Sequence, residues 1–396
     1  MNSASQNQNS RSAVGSESAQ NAGSTNTRET KQVTGKQLVA IIFILAMATK
    51  IFLLPIFLIQ SAGRDGYIIL SVYGAFELVT LVPMLIAIRI CDVDLFELLS
   101  SVLGAVGAKI AVGIIGLFLF FKLNTAIAEI LMFYGTNVLS DFDTSMMSIV
   151  LLVFLAATGA HTLRALSRLN ELLAPIIVVC LAVLIAIVLL TGFDLANIFP
   201  AVRDKASFVT ALGKHPAWVG DFTPLVLFIG RTKTKKFTNC FAAGSAVIGT
   251  AISVFFAIAL SAAFGNVPVY VDATTNISNI LQFSVGNVYG RIDMFSSILW
   301  SVSVFIEAAL FFYATCRCVA FVVGRPKHLI ISLCTCVAVY IVQVFALTDP
   351  MILSLTVTSY ASAAITPVMA AAIPTLALTC ALVYKRRQKK RAAEDR

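Results

Sequence analysis

The stretch ATKIFLLP, residues 48–55, lies inside an apolar run from about Leu38 to Ile59. A run of roughly 20 apolar residues is long enough to cross a bilayer as one helix. Lys50, near its middle, costs about 2.5–3.5 kcal/mol on insertion-based scales. Pro55 removes a backbone donor, so the helix should kink or open there. A charge and a helix break at membrane depth together predict a buried polar site. In the alternative interpretation, Lys50 extends to an interface along its aliphatic stem and Pro55 only bends the helix.

The composition is typical of a membrane protein. Of the 396 residues, 58% are hydrophobic and 12% are charged, with a mean hydropathy of +0.89, whereas a soluble domain carries about 25% charged residues. We therefore expect an all-α integral membrane protein whose membrane domain covers residues 37–384. Its ten apolar spans lie at about 38–60, 67–90, 109–134, 146–162, 170–192, 217–230, 238–264, 292–316, 328–348 and 351–384.

The amino-terminal head, residues 1–36, is rich in Ser, Asn, Gln and Gly and has too few apolar residues to form a core, so we predict a disordered tail. If this tail is cytoplasmic, most lysines and arginines fall on the inner side, in accord with the positive-inside rule. The spans then place both termini in the cytoplasm. The outer side retains only Arg64, Arg203, Lys205, Lys214 and Arg291.

The carboxyl-terminal segment, residues 385–396, begins with KRRQKKR and forms a basic tail. Such a run could be interpreted as a nucleic-acid patch. A basic cluster directly after a membrane span is more typical of a topology anchor that contacts anionic lipid. We therefore expect membrane lipid, and no nucleic acid, as its partner.

A second interruption occurs in WVGDFTPLVLF, residues 218–228. The span that contains it has about 14 residues, too few to cross a bilayer as one regular helix. It carries Gly220, Asp221 and Pro224 within five positions. Short or Gly/Pro-interrupted spans at corresponding places in two halves indicate the central site of a transporter. Spans one and six form such a pair if ten spans divide five and five, and their half-helix ends would offer N–H and C=O groups to a zwitterionic ligand.

Further polar residues lie inside other spans. Span two carries Glu77. Lys122 and Glu129 in span three are seven residues apart and share one helical face. In span eight, Trp300, Ser303 and Glu307 recur at helical spacing. A buried carboxylate needs a partner or becomes neutral, and we expect Lys50 to be the partner of Glu307.

The sequence disfavours an enzyme. Its three histidines, His161, His215 and His328, lie at scattered span ends, and no nucleotide-binding loop or metal-ligand spacing occurs. The cysteines are mostly in or beside apolar runs, where cysteine behaves as a small hydrophobe. We assign no catalytic residue, no metal and no cofactor.

Three segments resemble the spore germination permeases, the B subunits of germinant receptors within the amino acid–polyamine–organocation superfamily. They are IFLLP at the end of span one, PLVLF in span six and GRIDMFSSILW at residues 290–300. The similarity covers residues 35–384. It implies two inverted five-helix repeats, LeuT-like, with helices 1 and 6 broken, in the spore inner membrane. It also implies A and C subunit partners and a small germinant, such as an amino acid or nucleoside, bound between the broken helices.

The chain departs from this family at Lys50, where relatives usually have a small residue, commonly glycine. The lysine ammonium could occupy the volume of a coupling cation, bind a ligand carboxylate, or block that subsite. We assign buried charge or ion coupling to Lys50, Glu77, Lys122, Glu129 and Glu307, and helix breaks to Pro55 and Pro224. The expected ligand-binding residues are Ala48, Thr49, Lys50, Ile51, Phe52, Asn124, Gly220, Asp221, Phe222, Thr223, Trp300 and Ser303.

Two functions follow from the same architecture. The first is a ligand sensor that binds a germinant and shifts conformation within a receptor complex. The alternative is a proton- or sodium-coupled secondary transporter of amino acids, in which Glu307 or Asp221 titrates during the cycle. Only a measurement of flux separates them.

Overall fold

The computed structural model describes residues 33–51, 53–137, 144–192, 196, 198–199, 205–232, 236–264, 292–324, 328–347 and 360–394. The described chain is helical almost throughout, and Phe52 and most of the 1–36 head lie outside these residues. The helices are α1 (Gly35–Met47), α2 (Leu53–Ala62), α3 (Gly66–Ile90), α4 (Leu95–Asn137), α5 (Thr144–Ala160), α6 (Leu163–Gly192), α7 (Lys205–Lys214), α8 (Lys236–Phe264), α9 (Ile292–Val323), α10 (His328–Val342) and α11 (Tyr360–Glu394).

Six helices among the described residues are long and apolar enough to cross a membrane, within α3, α4, α6, α8, α9 and α11. Shorter apolar helices occur at α1, α5 and α10. Large apolar side chains such as Val79, Leu117 and Phe154 are exposed on the outside of the bundle. Because water would disfavour such a surface and lipid would not, this is a multi-pass membrane protein.

Helix α1 begins with a capping box. The Gln37 N–H donates to Thr34 Oγ1 at 3.4 Å, and the Thr34 N–H donates to Gln37 Oε1 at 3.0 Å, so two otherwise orphaned donors are satisfied. Just before the cap, the Val33 N–H donates to the Arg231 carbonyl at 3.0 Å, and Val33 forms an isolated parallel bridge with Thr232. The start of span one is thereby fixed beside the end of span six.

Helix α1 lies at the centre of the bundle, and residues 41–47 are all buried. It packs against α8 and α6, while α4 and α9 pack along each other, as do α3 and α11. Small residues permit these approaches: a Cβ added to Gly249 of α8 would lie 2.8 Å from the Ala46 Cβ, and one added to Gly116 of α4 would lie 2.9 Å from the Cys318 Cβ. Without a hydrophobic driving force in lipid, such close contact is what holds helices together.

Four helices extend well beyond their predicted spans: α6 starts at Leu163 rather than about residue 170, α9 ends at Val323 rather than about residue 316, and α4 and α11 are longer still. Span three was expected from about residue 109, but α4 already starts at Leu95 and bends at Gly104, whose φ of 76° is in the left-handed region that glycine tolerates. Helix α11 continues through residues 385–394 of the basic tail, where Arg387 donates to the Ser101 carbonyl at 2.8 Å. The first part of the basic tail is therefore an exposed helical extension of the last span.

Candidate functional site

The first helix break includes the described residues 48–51, between the end of α1 and the start of α2. The Lys50 N–H still donates to the Met47 carbonyl at 3.1 Å, as a turn rather than an α-helix. The predicted interruption of span one is thus present, but its predicted position at Pro55 is wrong. Pro55 is the third residue of α2, where no intrahelical donor is required, so it is compatible with the helix start rather than the cause of the break.

The second break lies in span six, which contains no regular α-helix. A 3₁₀ turn at Pro216–Trp218 and another at Thr223–Phe228 are joined by residues 219–222. Gly220 has φ 99°, and a Cβ there would lie 3.2 Å from both Ala370 and the Phe118 ring. Pro224 occupies one of the first two positions of the second turn, where it needs no donor. The interruption predicted for this span is confirmed.

Four charged side chains meet where the two breaks approach each other; we call Lys50, Glu77, Lys122 and Asp221 the core tetrad. Lys50 forms ion pairs with Glu77 and, at 2.7 Å, with Asp221 Oδ2. Lys122 pairs with Asp221 Oδ1, also at 2.7 Å. All four are at most 4% exposed. The tetrad contains two cations and two anions, and it links four segments: both breaks, α3 and α4.

The tetrad also satisfies the backbone groups that the breaks leave open. Glu77 Oε1 accepts the N–H groups of Gly220 (2.8 Å) and Asp221 (3.2 Å), and Lys122 donates to the Ala217 carbonyl at 3.3 Å. The Thr49 hydroxyl donates to Asp221 Oδ2 at 3.2 Å. The N–H and C=O groups expected to receive a ligand are therefore partly occupied by the protein's own charged side chains.

The expected pairing of Lys50 with Glu307 is wrong. The Lys50 ammonium is held by Glu77 and Asp221, and Glu307 has no basic group within ion-pairing distance among the described residues. The alternative that Lys50 reaches an interface is also wrong, since Lys50 is 1% exposed. A lysine in the middle of span one remains buried because acids on two other segments reach it.

Sequence comparison places this chain in a family. The sequence model described as "Spore germination protein" matches residues 32–350, which is most of the chain. The protein belongs to the spore germination protein family. None of the curated protein sequences matches it significantly.

The fold is similar to that of the transporter Mhp1. Mhp1, a nucleobase-cation-symport-1 family transporter, in a closed conformation with bromovinylhydantoin bound, is similar with a TM-score of 0.58 and 13% identity, over 79% of this chain and 72% of that one. Inward-facing Mhp1 is similar with a TM-score of 0.55 and 12% identity, over 91% and 92% of the two chains. At this level of identity the likeness establishes the fold alone.

Two further acids of the core, Glu129 of α4 and Glu307 of α9, lie outside the tetrad; we call them the carboxyl pair. They are 5% and 1% exposed, and their carboxyl groups interact electrostatically with each other and with the tetrad. Neither oxygen of Glu307, nor Oε2 of Glu129, has a hydrogen-bond partner in the described part of the chain. Although Lys122 and Glu129 share a helical face as expected, Lys122 forms its ion pair with Asp221.

The remaining predicted residues of span eight lie on the same buried face as Glu307. The Trp300 and Phe133 rings are 4.8 Å apart, across the contact between α9 and α4. The Ser303 hydroxyl donates to the Leu299 carbonyl of its own helix at 3.0 Å. Both residues therefore lie on the buried face of α9 that carries Glu307.

Asn124 has a partner that sequence analysis missed. Gln343 donates to the Asn124 carbonyl at 2.9 Å and to its Oδ1 at 3.2 Å, from a π-helical turn at Gln343–Leu347 that follows α10. A signal was present, because Gln343 is the one amide side chain in the apolar span 328–348. A π-turn inside an otherwise α-helical element is frequent at functional sites. This amide bridge joins the tetrad-bearing helix α4 to the end of α10.

The remaining predicted ligand residues line the breaks. Ala48, Ile51 and Phe222 are buried, and the Lys50 ammonium lies 5.8 Å from the centroid of the Phe222 ring. The Thr223 hydroxyl donates to the Gly220 carbonyl at 2.7 Å, which stabilises the second break. Close to the breaks, the Phe57 ring packs 5.8 Å from Trp218 and 6.3 Å from His215. The side chains that surround the tetrad are thus largely apolar.

Proposed function

We propose that this protein is the membrane-embedded B subunit of a spore germinant receptor, in which the core tetrad is the site of ligand recognition. The observation that carries the proposal is the position of the tetrad: four buried charges join the two helix breaks directly. Membership of the spore germination protein family supports the role in germination. The ligand is a small amino acid or nucleoside.

Recognition proceeds by exchange of partners within the tetrad. The ammonium of a zwitterionic amino acid takes the place of a lysine beside Asp221, and its carboxylate binds Lys50 or Lys122. Because the charges of the tetrad already compensate one another, the ligand must replace existing ion pairs. The free energy of ligand binding is the difference between the ion pairs that form and those that break. A conformation in which the two helix breaks have separated would bind the ligand most tightly, so the ligand would stabilise that conformation.

The remaining architecture follows from this assignment. We propose ten transmembrane helices in two inverted five-helix repeats, with both termini in the cytoplasm and the protein in the spore inner membrane. The A and C subunits would bind it there and receive its conformational change. The basic segment after residue 384 would contact anionic lipid. The protein would catalyse no reaction.

A second candidate is a coupled secondary transporter of amino acids. It is favoured by Glu129 and Glu307, which form no ion pair with a basic side chain in the described part of the chain, since proton-coupled transport needs a group that changes charge within the membrane. Under this function, Glu307 or Glu129 would exchange a proton as the breaks open to either side.

The deciding experiment uses full-length protein in liposomes. Equilibrium binding and uptake of labelled amino acids and nucleosides are measured on one preparation, with and without a proton gradient. Saturable binding without accumulation supports the receptor, and gradient-driven accumulation supports the transporter. Asp221→Asn should abolish either activity, because both lysines lose their shared partner. Glu171→Gln, which changes an exposed acid on α6, is the matched control and should leave it intact.

A further inference from the structure

The core contains more acids than bases. Among the described residues, two lysines and five carboxylic acids are at most 5% exposed. Asp65 lies apart, in the short 3₁₀ helix Gly63–Asp65, and the six charges of the core are those of Lys50, Lys122, Glu77, Asp221, Glu129 and Glu307. If all were ionised, the core would carry a net charge of minus two. Transfer of unpaired charge into a low-dielectric interior is very unfavourable, so a buried acid without a partner becomes neutral. Two compensating positive charges are therefore required.

The geometry identifies the residues that need this compensation. The tetrad is neutral by itself, since two ammonium groups face two carboxylates at ion-pairing distance. Glu129 and Glu307 are the acids left over. The charged side chains that act on them are those of the tetrad and, for Glu129, also Glu307. Of the other helices that pack against α9, α5 and α10 have no Lys, Arg, Asp or Glu, α6 has Arg164, Arg168 and Glu171 in its first turns, and α1 has Lys36 in its first turn.

The surroundings of the carboxyl pair favour protons over a metal cation. Both α4 and α9 are continuous helices at Glu129 and Glu307, so their carbonyls are engaged in intrahelical bonds and are poor ligands. A bound hard cation requires several oxygen ligands, typically six or more for Ca²⁺ or Mg²⁺. Among the described residues, no group of three or more His, Cys, Asp or Glu side chains is placed to hold a metal ion. Phe133, one turn after Glu129 in α4, packs its ring 4.8 Å from that of Trp300, two turns before Glu307 in α9, so apolar rings lie on the faces that carry the two acids.

We propose that Glu129 and Glu307 form a proton-binding site in which both carboxyl groups are protonated while the core tetrad is intact. The role of this site in ligand recognition rests on the function proposed above. A ligand that brings a net positive charge to the tetrad frees Lys122, which lies seven residues from Glu129 on one face of α4. Glu129 then loses its proton to water and pairs with that lysine. A cationic ligand thus releases one proton, whereas a zwitterion, which changes no net charge, releases none.

Infrared spectroscopy of the full-length protein in lipid bilayers tests the site without any ligand. Spectra at neutral pH in H₂O and D₂O separate the C=O stretch of protonated carboxylic acids from the other amide and carboxylate bands. The wild-type protein should show this band, Glu307→Gln and Glu129→Gln should each remove about half of it, and the double substitution should remove it. Glu171→Gln should leave it unchanged, because this exposed acid of α6 is not part of the carboxyl pair.

Three results would overturn the proposal. One is absence of the band from the wild-type protein, a measurement that depends on no variant folding. Another is a band that survives the double substitution in full. The third is loss of the band when sodium chloride replaces choline chloride, which would make the pair a sodium site. Since no germinant or partner subunit is involved, these outcomes are independent of the binding and uptake measurements that decide the proposed function.

Discussion

The core tetrad and the carboxyl pair lie in the same membrane interior, but their charges are stabilised in different ways. In the tetrad, every ionised group has an opposite charge within 2.7 Å and Glu77 also accepts two backbone N–H groups. Glu307 has neither kind of partner among the described residues. The difference follows from backbone geometry: broken helices expose N–H and C=O groups that can support charge, and continuous helices do not. Charge is thus supported where helices are interrupted.

The largest effect should come from removing the anion that both lysines share. Asp221→Asn leaves Lys50 with one anionic partner and Lys122, among the described residues, with none, so we expect the free energy of unfolding to fall by about 3–5 kcal/mol, the range for breaking a buried ion pair. Unfolding in detergent micelles measures it. A loss no larger than that of Glu171→Gln would show that the tetrad does not stabilise the fold.

A smaller effect is expected at the glycine that shapes the second break. Gly220→Ala places a Cβ on a residue with φ 99° and close to Phe118, so we expect a loss of about 1–3 kcal/mol. Gly113→Ala on α4 is the matched control, because its Cβ would meet no atom within 4 Å and alanine favours a helix. Equal effects of the two substitutions on the unfolding midpoint would contradict a conformational role for Gly220.

The interaction within the tetrad can be isolated by a double-mutant cycle. Lys50→Met leaves the Glu77 carboxylate without its lysine, and Glu77→Gln leaves two lysines to share the one carboxylate of Asp221, whereas the double variant retains the single Lys122–Asp221 pair. The double loss should therefore be smaller than the sum of the single losses by about 0.5–3 kcal/mol. Lys50→Met combined with Glu171→Gln should be additive within about 0.5 kcal/mol. Additivity in both cycles would show that Lys50 and Glu77 do not interact.

The smallest effect is expected at the carboxyl pair. Glu307→Gln replaces a neutral acid by a neutral amide of the same shape, so the free energy of unfolding should change by about 1 kcal/mol or less, near the value of a single hydrogen bond. The same unfolding assay compares it with Glu77→Gln, which removes the charge beside Lys50 and should be several-fold more destabilising. If the order of the two substitutions is reversed, Glu307 carries a compensated charge after all.

Sequence patterns were sufficient to predict that spans one and six are interrupted, because a lysine in an apolar run and the Gly220–Pro224 segment each violate the pattern of a simple span. The same patterns were insufficient to predict which charged side chains pair with each other. Thr49 and Asp221 are 172 residues apart in the chain, and helical spacing determines which residues share a face but not which faces meet. Glu77 and Glu307 were therefore equally available to Lys50 in the sequence. The position of the first break was missed because a proline was assumed to disrupt its helix, and in a first helical turn it does not.

The bridge between Val33 and Thr232 has a mechanical consequence. It attaches Val33, near the end of the amino-terminal head, to the end of span six, and the adjacent Arg231 reaches Asp94 at 3.6 Å and the Tyr313 hydroxyl at 3.4 Å. Span one and span six are thus joined on both sides of the 13-residue helix α1, which is about 20 Å long: by this bridge and by the Lys50–Asp221 ion pair. A protein that pulled on residues 1–32 would therefore exert force on the Val33–Thr232 bridge and, through α1, on the Lys50–Asp221 ion pair between the two helix breaks.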